Sequence, residues 1–355
     1  MPHRTFPTYA LQQTSLTVGT ATRKDHSSSN KGQVTKTATV FTSSDTPPEM
    51  TVTNAVAYLV AFDLSFQGGS HHQVDHMKLW PTVSVAKNGT VTLSVDMILN
   101  NDDSPQISDD ANVTILTVIQ MMPANADLSE ASSAMGFYDG STDDFPAKQQ
   151  TGQCNSGAPE VQGAITGWDA RSANNATKKL TNFDFYSGAV YYQTLPPAGW
   201  PRLGFDNGFN DCAHAFVNRT LDEGGNFSTH PLWSGLAADT TAPIALCPVS
   251  YRADGGTDTL KFSKTVKSAY AVVQNLSNSG DAGKAHSLSK FTCSGLTVTI
   301  GTGGHNSDDT VVNAKWEHQE SKWHGAGADA WNSVVDYLII VEFDDAKDGQ
   351  RDDST

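Results

Sequence analysis

"TVSVAKNGTVTLSVDMIL", residues 82–99, decides the fold class. Val83 and Val85 before the Asn88-Gly89 step, and Val91, Leu93, Val95, Met97 and Leu99 after it, recur at every second position. A period of two puts those side chains on one face of an extended strand. Asn-Gly tolerates the positive φ of a tight β-turn, so the stretch predicts two antiparallel strands joined by a hairpin.

Working outward, similar apolar runs appear on both sides of the chain. "AVAYLVAFDLSF" (55–66) and "ANVTILTVIQMM" (111–122) flank the hairpin. "KSAYAVVQNLS" (267–277), "FTCSGLTVTIG" (291–301), "TVVNAKWEH" (310–318) and "VVDYLIIVEF" (334–343) form a second set. Each set opens on an Ala-Tyr step (Ala57-Tyr58, Ala269-Tyr270). Each then meets a histidine (His76, His286) and an acidic turn (Asp102-Asp103, Asp308-Asp309) before its last apolar run. The expected fold is therefore all-β, with two β-sandwich, jelly-roll-like units related by internal duplication.

Composition points the same way. The 355 residues are 38% hydrophobic and only 17% charged, and the acids are seven Glu against thirty-one Asp. Asp bonds to nearby backbone and disfavours helix interiors, so the imbalance belongs to turns and strands. The expected boundaries are a polar arm over 1–38, units over 39–123 and 251–345, a loop-rich insertion over 124–250, and an acidic tail over 346–355.

The net charge of −15 argues against a nucleic-acid partner, because phosphate binding needs a positive surface. No run approaches the roughly 18 apolar residues of a membrane helix. The first twenty residues lack the apolar core, roughly 7–15 residues long, of a secretory signal. The chain is thus expected to stay where it is made or to leave as part of a particle. Cys154, Cys212, Cys247 and Cys293 are widely spaced and frame neither a zinc motif nor a fixed disulfide pattern.

Two stretches are candidates for chemistry. In "GGSHHQVDHMKLW" (68–80), His71, His72, Asp75 and His76 bring imidazole and carboxylate together, the ligand types of a transition-metal site. His72 and His76 share a face of a strand or a helix, but a third ligand must come from elsewhere. No H-E-x-x-H spacing frames them, so a polar sheet rim is the favoured reading and a divalent metal the alternative.

In "LPPAGWPRLGFDNGFNDCAHAF" (195–216), Trp200 and Phe205 stand among Arg202, Asp206, Asn207 and Asp211 on a backbone stiffened by proline and glycine. Aromatic faces beside carboxylate and amide hydrogen-bonders suit a sugar ring, so this loop is the candidate glycan-binding surface. The wider segment 183–233 holds eleven of the thirty-one aromatics, for which burial is the ordinary use.

Catalytic signatures are missing from the sequence: no G-x-S-x-G, no P-loop and no G-x-G-x-x-G. The expectation is a non-catalytic structural or surface-binding protein, such as a virion, filament or adhesin subunit or a lectin-like module, assembling as a homo-oligomer. The alternative is a metal-dependent enzyme built on the cluster at 71–76.

Overall fold

The computed structural model describes residues 8–19, 32–69, 72, 74–100, 107–125, 138–141, 160–172, 180–186, 190–192, 202–204, 218–222, 227–238, 244–250, 256–262, 264–279, 287–288, 290–293, 295–302, 310–316, 323–324 and 332–344. Those residues form an all-β fold of antiparallel sheets.

One sheet has the order β1 (Thr8–Thr17), β6 (Asn112–Pro123), β3 (Met50–Ser65), β18 (Lys290–Cys293). A second runs β2 (Val34–Phe41), β5 (Val91–Asn100), β4 (His76–Val85), β8 (Glu160–Ser172), β13 (Phe227–Ala238), β7 (Tyr138–Ser141). A third runs β12 (Asn218–Asp222), β9 (Leu180–Tyr186), β16 (Val266–Ser279), β22 (Asn332–Phe343), β14 (Ile244–Ser250). The fourth is β15 (Gly256–Phe262), β20 (Thr310–Trp316), β19 (Thr297–Thr302). Two short pairs, β10 (Val190–Tyr192) with β11 (Arg202–Gly204) and β17 (Ser287–Leu288) with β21 (Trp323–His324), complete the set.

The hairpin expected at 82–99 is the β4–β5 pair, in register from His76↔Asn100 to Val85↔Val91. Its turn closes with the Ala86 amide donating to the Thr90 carbonyl and the Gly89 amide donating to that of Ala86. Gly89 sits at φ 83°, a left-handed conformation that costs glycine nothing and a β-branched residue a great deal.

β3 and β6 bury both of their faces. Ala57, Leu59, Phe62 and Leu64 of β3, with Val113 and Ile115 of β6, share a core with Met77 and Leu79 of β4 and with Leu93, Val95, Met97 and Leu99 of β5. On the opposite face, Val56, Tyr58, Val60, Leu116 and Val118 join Tyr9 and Leu11 of β1. They meet Ile244, Leu246, Val272, Leu338 and Ile340 from the third sheet. This is why β6 and β22 read as nearly continuous apolar runs and not as alternating ones.

The order β1-β6-β3 beside β2-β5-β4 recurs as β14-β22-β16 beside β15-β20-β19. In the two inner pairs Tyr58 lies opposite Leu116, and Tyr270 opposite Ile340. β3 carries bulges at Val52/Asn54 and Leu59/Ala61, and β16 at Val266/Ser268 and Val273/Asn275.

The sheets cross the boundaries expected from composition. Residues 8–17 and 34–38, expected in a polar arm, are strand, and Val18 and Val34 are core residues. β8, β13 and β7 come from the expected insertion yet extend the sheet of β4. β18 lies within the second set of strands but pairs with β3 of the first, Lys290↔Ser65 through Cys293↔Phe62. Pairing partners far apart in sequence leave no mark in local composition, whereas turns do. Cys247 is half-buried on β14, and Cys293 is a buried free thiol whose Sγ lies 3.4 Å from the Tyr337 hydroxyl; Cys154 and Cys212 fall outside the described residues.

Gly167 shows how closely β8 approaches β4. A Cβ built there would stand 2.1 Å from the Leu79 carbonyl oxygen and 2.7 Å from Pro81 Cδ. Only glycine fits against that backbone. Gly167→Ala is expected to cost about 2–3 kcal/mol, as overpacking does. Gly301→Ala, where a Cβ meets nothing within 4 Å, should stay within about 0.5 kcal/mol. Urea unfolding of the two variants checks the contrast, and equal costs would refute the close approach.

Candidate functional site

β4 carries its side chains alternately. Met77 and Leu79 point to the core, and His76, Lys78 and Trp80 to the other face. β8 does the same, with Trp168 and Ala170 in the core and Asp169 and Arg171 on the face that His76 shares. The two strands pair over four positions, His76↔Arg171 to Leu79↔Trp168. This short seam joins β8, β13 and β7 to the rest of their sheet.

A polar network closes the seam. His76 Nε2 lies 2.7 Å from Asp169 Oδ1. Arg171 donates to the same carboxylate from one edge of its guanidinium, Nε to Oδ1 at 3.1 Å and Nη2 to Oδ2 at 3.2 Å. His76 is 4% exposed and Asn100, opposite it on β5, 3%. Burial works to raise the Asp169 carboxyl. The hydrogen bonds from His76 and Arg171, with the coulombic pull of the same two groups, outweigh it and hold the acid far below the usual carboxylate range. Farther along this face, Lys78 lies 3.4 Å from Asp96, whose other oxygen accepts from Thr35 at 2.6 Å.

The histidine-rich stretch is thus divided among separate tasks. His72 sets its ring edge-on to Phe66 at 5.0 Å, where partial burial lowers its pKa. Asp75 is buried at the strand start, and its backbone amide donates to the Asn100 carbonyl. His76 faces Asp169, 93 residues away in sequence. His71 lies outside the described residues. Among the described residues, no three His, Cys, Asp or Glu side chains are grouped so as to hold a metal ion.

In the aromatic loop, Arg202 opens β11, whose backbone pairs with β10 at Tyr192. Trp200, Phe205, Asp206, Asn207 and Asp211 lie outside the described residues.

Sequence reading found His76 but not Asp169 or Arg171. The signal available was the alternation in "AITGWDARS" (164–172), which places Asp169 and Arg171 on one face opposite Trp168. What the network can do is hold two strands in register. The described contacts of His76 give it a carboxylate and no nucleophile to activate.

No protein-family model matches the chain, and no curated protein matches it. Among the described residues no helix is long and apolar enough to cross a membrane.

Asp169→Asn keeps the shape and removes the charge, leaving His76 and Arg171 without their anion. The expected cost at neutral pH is about 3 kcal/mol, the toll for breaking a mostly buried pair. The sign with pH follows from the depressed acid. Its contribution is complete above the ordinary carboxylate value, near pH ~4, and is lost as pH falls below it. The gap between wild type and variant should therefore be constant from about pH 5 to 7 and narrow by pH 3. A gap that widens on acidification would contradict the network.

Proposed function

We propose that this chain is a non-catalytic structural subunit that assembles with copies of itself, as in a coat, filament or adhesin. In this reading its two sets of strands are jelly-roll-like sandwiches produced by internal duplication. The observation that carries the reading is the recurring order, β1-β6-β3 with β2-β5-β4 and β14-β22-β16 with β15-β20-β19. Paired sheets of this order are a common architecture of coat and lectin domains, and the step from architecture to role is one of analogy.

Three further observations support it. The seam network serves register, as described above. One strand crosses between the two sets, β18 onto β3, so a sheet of the first set is completed by a strand of the second. The chain also spends its buried surface on sheet-to-sheet contact, with β3, β6, β16 and β22 covered on both faces. A rigid multilayer body suits a building block that must hold its shape under load.

The test is mass in solution. Light scattering coupled to size exclusion should give a defined multiple of the 37.9 kDa chain, and negative-stain images should show uniform particles or filaments. A monomer persisting to high micromolar concentration would sink the proposal.

A further inference from the structure

Each of the two recurring sets offers two inner strands whose outer edge needs a neighbour. β3 receives β18, β4 receives β8 and β16 receives β9. The fourth position, the free edge of β19, has no neighbouring strand among the described residues: its sheet ends there, at order β15-β20-β19. β19 is the counterpart of β4, and the strand that covers β4 has no equivalent beside it.

The residues of that edge fit a docking strand. Thr297–Thr302 reads TVTIGT, with no charge, no proline and no inward-pointing lysine, the usual guards of an open edge. Its backbone turns one row of amides and carbonyls outward, available for a further ladder. Val298 and Ile300 share a face by strand periodicity and lie opposite Ala314 and Val312 of β20. Val298 packs against the core, but Ile300 is 44% exposed, the more open of the two large exposed hydrophobics among the described residues. A core-side isoleucine left open is what a sheet lacking its last strand would show.

We propose that the β19 edge is an intersubunit docking site that pairs antiparallel with β19 of a second copy of this chain. The proposal rests on the self-assembling reading above. A second copy is favoured over other partners because the edge is self-complementary. In the register centred on Ile300, each copy sets Ile300 against its own counterpart and Val298 opposite Thr302, a closed two-fold contact. The segment carries none of the chain's −15 charge, so this is a place where two acidic copies meet without like charges opposed.

The test uses the full chain and two exposed positions. Ile300→Lys puts a charge at the centre of the pairing, whereas Val85→Lys, at the other exposed large hydrophobic (39%), serves as control. Sedimentation equilibrium should show association weakened about tenfold or more in Ile300→Lys and unchanged in Val85→Lys, with wild-type circular dichroism in both. Hydrogen exchange on the wild type gives a second readout, independent of any variant: the amides of Thr297–Thr302 should gain protection as concentration drives assembly. An assembled wild type with no such protection, or with Ile300→Lys associating equally well, overturns the β19 contact and leaves the self-assembly reading intact. A wild type that is monomeric throughout ends both.

Discussion

Tyr58, Leu116, Val272 and Leu338 lie on the second faces of strands whose first faces are already core. Everything else in the architecture follows from that double burial. A strand with one dry face can border water, but β3, β6, β16 and β22 need a sheet on each side. Each fully buried Val, Leu or Tyr contributes about 1.5–3 kcal/mol of transfer free energy, so separating the β1-β6-β3 sheet from the β14-β22-β16 sheet would expose a cost no loop could offset. Both sheets bring a tyrosine to the shared interface. Tyr58 is fully buried there and Tyr270 packs against the same cluster.

That interface also explains why β18 crosses between the halves. With the two inner sheets back to back, the edge of β3 lies within reach of the chain that follows β16, and β18 takes the position. Phe291 of β18 then completes a ring cluster with Phe62 at 5.0 Å and Trp168 at 5.9 Å. Three residues from three distant parts of the sequence close one corner of the core. Contacts of this separation form only after long loops have been closed, so the two halves are expected to fold as one cooperative unit and slowly.

Local pattern made part of this legible. The β4–β5 hairpin could be read because Asn88-Gly89 and a period of two are both short-range signals, and the two Ala-Tyr steps lie in β3 and β16. Edge strands were harder. In β1 only Tyr9 and Leu11 are buried among ten residues, too weak an alternation to stand out from a polar segment. The histidine stretch shows a different limit. His72 and His76 are close in sequence, but β4 begins between them and sends His76 across the sheet to Asp169. Its partner could be located only once β8 was known to be the neighbour of β4.

Charge placement follows the same logic of neighbours. Asp63 pairs with Lys290 across β3 and β18, Asp96 with Lys78 across β5 and β4, Asp169 with His76 across β8 and β4, and Glu342 with Lys267 across β22 and β16. All four join two strands, and two of them span the seams where β18 and β8 enter sheets begun by other parts of the chain. Half-buried pairs of this kind add little net stability, since desolvation consumes most of the attraction. A one-residue slip, however, would turn each carboxylate to the wrong face and strand it without its cation. In a protein made of similar Thr- and Val-rich strands, apolar burial alone would tolerate several neighbours for β8 or β18. Placing the acid on one strand and the base on its correct partner makes the wrong neighbours costly, which is the specificity a fold with recurring strand order most needs.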